Sequence, residues 1–216
     1  MEAAQLPPPV STLWSSNDRQ MWEDALSRYW YYVSPRNREL EIELEALSVE
    51  EIERSDSLQW YEFLRDKYFR WKYTAPNRYA TTTNKLRSYV DENALAHLDK
   101  IRRVLLVDAV QDLRIGLSAA KQIHGLGFAG ASGLLALMYP HIYGTVDQFV
   151  VKALAQITTL PEASLIQKMR PERLGLNDAV ILIRIMQRKA AELNKAFGVS
   201  TWTPRKIDKV LWTYGR

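Results

Sequence analysis

The stretch Ile123-His124-Gly125-Leu126-Gly127-Phe128-Ala129-Gly130-Ala131 joins two helical patterns through a bend of two glycines around one leucine. Upstream, residues 112–122 are amphipathic, with Leu113, Leu117 and Ala120 on one side. Downstream, residues 128–138 are dense in Ala, Gly and Leu, and such small residues let two helices approach closely. The geometry expected of this bend is a tight hairpin. Leu126 points into the protein, and the backbone N–H groups of Gly125, Leu126, Gly127 and the first helical residues, Ala129 among them, face outward. Such N–H groups at a helix start form a ready anion site. A DNA phosphate is the natural ligand, with a monovalent cation between phosphate and carbonyls. The plainer alternative is an ordinary connection between two helices. It is no dinucleotide fingerprint, because no strand precedes it and the third glycine is wrongly spaced.

Working outward, most of the chain reads as helix. Asp18 caps a segment running to Val33, and Pro35 stops it. Residues 38–47 alternate acid with apolar, either as a strand or as an acidic helix. Ser48 with Glu51 makes a capping box. Residues 58–73 form an aromatic-rich helix, whose Trp60, Phe63 and Leu64 follow core spacing. Thr74-Ala75-Pro76 breaks it, and Pro76 opens the next helix to about Val90. Asp91 and Asp108 start two more. Residues 178–197 are the strongest long helix, closed by Gly198. Thr203-Pro204 opens the last. The expected class is all-α, one domain over 1–216. Residues 1–17 are expected as a flexible leader around Pro7-Pro8-Pro9, and residues 155–216 as returning helices.

Composition bounds the function. The 216 residues contain no Cys, which excludes disulfides, thiolate metal sites and cysteine nucleophiles. No His/Asp/Glu pattern has metal-ligand spacing, so no metal is expected. No apolar run reaches the length of a membrane span and no signal peptide is legible, so the expected compartment is the cytoplasm and no membrane partner is expected. The formal net charge is +4, placed unevenly: residues 1–54 carry −6 and residues 55–216 carry +10. A basic body with an acidic cap suits a polyanion on one face, or is an ordinary solvated surface.

The hairpin stretch resembles the Leu-Pro-Gly-Val-Gly-x-x-x-Ala hairpin of the helix-hairpin-helix DNA glycosylase superfamily. A Val-Asp pair follows that hairpin in the family, after one helix and a short approach. Here Val146-Asp147 stands at the matching place, behind Gly144-Thr145. The position used by the family's lyase members lies eighteen residues before the catalytic Asp, which is Ala129 in this chain. The resemblance covers residues 111–154. It implies a two-lobed helical fold with a central helix-hairpin-helix, and a likeness in activity to removal of a damaged or modified base from double-stranded DNA. A monomer is expected, with no cofactor required beyond a monovalent cation at the hairpin.

The resemblance assigns Asp147 to the sugar. Cleaving an N-glycosidic bond builds positive charge on deoxyribose, and a nearby carboxylate stabilises it and orients an attacking water. Asp147 also reads as the cap of a helix starting at Gln148. An alanine cannot serve as the amine nucleophile of the lyase members. Ala129 therefore implies either a monofunctional glycosylase using water, or a non-catalytic module of the same fold that recognises DNA or abasic sites. Lys121 and Lys152 flank the hairpin as phosphate contacts or solvated surface. His124, in place of the family's Pro, either touches a phosphate or is structural. An extruded base needs aromatic faces; Tyr139 and Tyr143, between hairpin helix and Asp147, are the candidates. Asn77 and Arg78, in the polar break, are candidates for a wedge or for phosphate contact.

Overall fold

The computed structural model describes residues 7–216, and among these the chain folds into fifteen α-helices with no strand. Residues 1–6 of the expected leader lie outside the described residues. The rest of that leader is corrected from Val10 onward. Helix α1 (Val10–Trp14) buries Val10, Leu13 and Trp14. Trp14 packs on Trp22 at 6.1 Å between ring centroids, and its carbonyl accepts from Lys189 Nζ at 2.8 Å. Burial of these apolar side chains outweighs the extended bias of the prolines.

Local signals set the next helices. Asp18 Oδ1 accepts from the Gln20 and Met21 N–H groups and opens α2 (Arg19–Ser27). The helix expected to reach Val33 divides there, and α3 (Tyr29–Tyr32) follows as a separate turn. Ser34 caps α4 (Pro35–Glu45), with the proline in the first turn. The alternating acids therefore lie on a helix, where Glu41 and Glu45 share a face one turn apart. Ser48 accepts from the Glu51 N–H and opens α5 (Val49–Arg54).

The aromatic segment is α6 (Ser57–Phe63), a π-helical turn (Leu64–Tyr68) and α7 (Phe69–Lys72) in one run. After the proline break come α8 (Pro76–Asp91) and α9 (Leu95–Val107). Asp91 ends a helix instead of starting one, because Asn93 turns the chain with φ 52°. Helix α10 (Leu113–Gln122) starts at Asp112, not at Asp108. Asp112 Oδ1 takes the Arg114 and Ile115 N–H groups, while the Asp108 N–H is still bound to Val104 at the end of α9.

The chain then runs through α11 (Phe128–Met138), α12 (Gln148–Ala155), α13 (Ala163–Ile166), α14 (Leu176–Phe197) and α15 (Pro204–Gly215). Gly198 closes α14 in the left-handed region at φ 65°, and Thr203 caps α15 through the Lys206 N–H. Helix α11 is buried from Gly130 to Met138. It sits at the centre, against α10, α14 and α15. Each fully buried Leu here contributes about 1.5–3 kcal/mol over an exposed one. The buried side chains form one cluster running from Val10 to Leu211.

One polar knot interrupts this core. Arg205 on α15 pairs with Glu41 and Asp208, each at 2.7 Å. Lys209 pairs with Glu45 at 2.5 Å, and the Tyr29 hydroxyl donates to Glu41. Buried charges persist only when paired and hydrogen-bonded. The acidic run of α4 is therefore partly an internal counter-charge for α15.

Candidate functional site

The hairpin between α10 and α11 turns on Gly125, whose φ is 94°. A Cβ there would stand 2.7 Å from the Thr82 carbonyl oxygen, so both conformation and space demand glycine. The Gly125 carbonyl accepts from the Tyr73 hydroxyl at 3.0 Å. Leu126 is buried, as expected, but its N–H, expected to face outward toward a phosphate, is used within the turn and donates to the Ile123 carbonyl. Gly127 is different: a Cβ there would meet nothing within 4 Å. No side chain caps α11 at Gly127, so the N–H groups of its first turn, at Phe128, Ala129 and Gly130, receive no capping side chain.

The floor under the hairpin comes from α7 and the π-helical turn before it. The Tyr68 hydroxyl donates to the Gly130 carbonyl. A Cβ at Gly133 would stand 2.9 Å from the Tyr68 hydroxyl and 3.4 Å from Lys72 Nζ. The small residues of α11 thus make room for two tyrosines and a lysine arriving from another helix.

Asp147 follows from the same helix. The Ser132 hydroxyl donates to the Ala129 carbonyl at 3.3 Å and accepts from the Val146 N–H at 2.9 Å. One serine therefore ties the first turn of α11 to the residue before Asp147. On the other side, Asp208 Oδ2 accepts from the Thr145 N–H at 2.6 Å. Asp147 itself is partly exposed. Its Oδ1 caps α12 through the Phe149 and Val150 N–H groups, at 2.9 and 3.1 Å. Among the described residues Oδ2 has no hydrogen-bond or ion-pair partner. Capping therefore occupies one carboxylate oxygen and leaves the other open.

Charges gather here. Lys72 feels the Asp147 and Asp208 carboxylates and the Arg78 guanidinium, and burial pushes its ammonium below the usual lysine range. Burial likewise raises Asp208 to about 6, with Arg205 and the Thr145 N–H pulling the other way. Arg78 is exposed on α8, and the Asn77 side-chain oxygen accepts from the Arg78 N–H at 2.8 Å, as in an ordinary helix start. Lys121 and Lys152 are exposed, each lying over a neighbouring ring: Phe128 at 5.6 Å and Phe149 at 5.5 Å.

The aromatic expectation is corrected. Tyr143 is fully buried and its hydroxyl donates to the Ala109 carbonyl at 2.6 Å, so it is a core anchor with no face for a base. Tyr139 turns its hydroxyl to the Leu105 carbonyl at 3.0 Å, near the end of α9. His124 stacks on Tyr89 at 4.2 Å and shares a hydrogen bond with Ser88 at 2.7 Å, which is a structural role. One surface depression is bounded by Gln111, Arg114, Arg184 and Gln187 and another by Trp14, Lys189 and Glu192, both away from Asp147.

The structure brings Asp147, Arg78 and the hairpin together with three groups that sequence reasoning missed: Lys72, Ser132 and Asp208. The signal for Lys72 was faint, a lone lysine among aromatics one turn before a proline break. Among the described residues no group of three His, Cys, Asp or Glu side chains converges as a metal site, and no helix is long and apolar enough to cross a membrane. Comparison with family models, with curated proteins and with solved structures gives no match.

Proposed function

We propose that this chain is a DNA glycosylase-like protein of the helix-hairpin-helix kind, which hydrolyses the N-glycosidic bond of an altered base in double-stranded DNA. The observation that carries the proposal is the half-committed Asp147 carboxylate. Its Oδ1 is locked by two backbone N–H groups, its Oδ2 is free among the described residues, and Ser132 links its loop to the hairpin. The uncapped α11 start holds a phosphate, with a monovalent cation completing that grip. Oδ2 then faces the sugar, stabilises the positive charge that develops as the base leaves, and orients the water that attacks C1′. The proposed setting is a cytoplasmic monomer acting on DNA.

A panel of lesion-bearing duplexes, treated with alkali after incubation, reads base release directly. Asp147→Asn keeps the capping oxygen, so the fold and DNA binding persist while base release falls at least about a hundredfold. Undiminished release by that variant, or no release from any lesion at enzyme excess, would overturn the assignment.

A second reading is favoured by Ala129. It is a DNA-binding module of the same fold that recognises DNA or abasic sites without chemistry. Tight binding of lesion or abasic duplexes with no product from either would select it.

A further inference from the structure

The stretch Arg28-Tyr29-Trp30-Tyr31-Tyr32-Val33-Ser34-Pro35-Arg36-Asn37-Arg38 carries three arginines, four aromatic rings and no acid, within a part of the chain that is otherwise acidic. Asp24 and Glu39 are the first acids on either side. Four rings on one helical turn cannot all enter the core. Tyr29 does, and donates to Glu41, while Tyr32 stays 51% exposed and Tyr31 80% exposed. Tyr29, Trp30 and Tyr32 each pack on a neighbouring ring, and Tyr31 on none among the described residues. From Tyr32 the aromatic surface continues to Trp212 of α15 at 6.4 Å, and on to Phe149 of α12 at 5.8 Å. Cations lie over these rings. Arg216 stands 5.3 Å from the Tyr32 centroid and 4.8 Å from that of Trp212, and Arg38 stands 5.5 Å from that of Trp30. Backbone carbonyls hold both guanidiniums: Arg216 donates to the Tyr32 carbonyl at 3.3 Å and Arg38 to the Trp30 carbonyl at 2.7 Å. Among the described residues neither has an ion-pair partner, so their charge is fixed in place and uncompensated.

We infer that this face, centred on Tyr31 and Tyr32, binds an unpaired nucleic-acid strand. A base offers its flat side only when it is not stacked inside a duplex, and an open tyrosine ring takes any base in that way. The duplex presents only its phosphates to such a surface, and the Tyr31 ring would find no partner there. The guanidiniums beside the rings take the phosphates of the strand and release its counterions. Their hold on backbone carbonyls keeps them in place without neutralising them. A lipid surface fits less well. An anchor lying in a membrane interface needs apolar side chains that enter the acyl region. The large exposed side chains here are tyrosines, each ending in a hydroxyl, and the rings of Trp30, Tyr32 and Trp212 lie under guanidiniums. The inference needs neither base removal at Asp147 nor the phosphate grip at the α11 start.

The test follows the fluorescence anisotropy of labelled oligothymidylate of about twelve nucleotides with the full chain, beside a duplex of the same length. The single strand should bind saturably. Tyr31→Ala should weaken it about fivefold or more, while Tyr31→Phe, which keeps the ring, stays within about twofold of the wild type. Duplex affinity should change by less than about twofold in either variant. Arg38→Gln combined with Arg216→Gln should lower single-strand affinity and flatten its salt dependence. Oligouridylate of the same length, run in parallel, tells DNA from RNA as the source of the strand. Tyr31 is exposed, and thermal melts of both its variants verify that they fold. No binding of either single strand, or equal binding by the wild type and Tyr31→Ala, overturns the inference. Sedimentation with phosphatidylserine vesicles that requires Tyr31, in a chain that binds no single strand, assigns the face to lipid and overturns it too. A chain that binds the single strand through Tyr31 but not the duplex upholds this inference and overturns the glycosylase reading.

Discussion

The two glycines of the hairpin differ in what they are for. Gly125 is needed by the backbone: its φ of 94° and the 2.7 Å approach to the Thr82 carbonyl leave no room for a side chain. Gly125→Ala should cost about 1–3 kcal/mol, which for a chain of this size lowers Tm by roughly 3–10 °C. Gly127 is needed, if at all, by a ligand. Its φ of −96° suits any residue, and a methyl there meets only open space. Gly127→Ala should leave Tm within about 2 °C yet weaken binding to duplex DNA, since a Cβ intrudes on the surface where a phosphate would sit. Thermal melts and binding titrations on both variants check this; equal losses of stability would make the second glycine structural too. Gly125 was legible as a bend from its neighbours alone. Which of the two glycines faces open space was not, because that depends on Thr82 and Phe69 arriving from other elements.

At the scale of elements, α15 connects the polar knot to the site. Its Arg205 is held by Glu41 of α4, and its Asp208 holds the Thr145 N–H, two residues before Asp147. Burial raises Asp208 from its ordinary value of 3.8 to about 6. Between those values the folded chain keeps a proton that the unfolded chain has released. By linkage, this group's contribution to stability therefore falls as pH climbs from about 4 to about 6, and is level above that. Asp208→Asn keeps an oxygen for the Thr145 N–H and cannot titrate. Urea unfolding of the two proteins across that window should show the wild type losing stability relative to the variant. A constant difference from about pH 4 to 7 would sink the assignment. The π-helical turn at Leu64–Tyr68 acts at the same scale. It inserts an extra residue into the helical repeat, so Trp71 and Lys72 point elsewhere than an ideal α-helix would send them.

For the whole molecule, the expected division into an acidic cap and a basic body needs refinement. Glu41, Glu43 and Glu45 are engaged with Arg205, Lys67 and Lys209, so part of the acidic excess is internal wiring and repels no polyanion. Arg78 and Lys85 on α8, Lys121 on α10 and Lys152 on α12 are exposed and have no ion-pair partner among the described residues. A polyanion that reached them would displace counterions from each. Affinity for duplex DNA should accordingly fall by about tenfold or more between 50 and 200 mM salt. Reversing Lys121 and Lys152 together to Glu should flatten that dependence. Binding insensitive to salt would remove DNA as the partner of these groups.

Taken by itself, the sequence determined the local events: the caps at Asp18, Ser48 and Thr203, the glycine bend, the closing Gly198, and the all-α class. Each depends on a donor and an acceptor a few residues apart, so the pattern is written in one short window. Tertiary structure alone decided that α1 is part of the core, that Tyr143 points inward, and that Asp208 steadies the loop before Asp147 from sixty-three residues beyond Thr145. It also decided that Lys72 stands over the hairpin helix. These facts depend on which faces meet once the apolar cluster closes, and no periodicity within one segment records the identity of a partner brought from another.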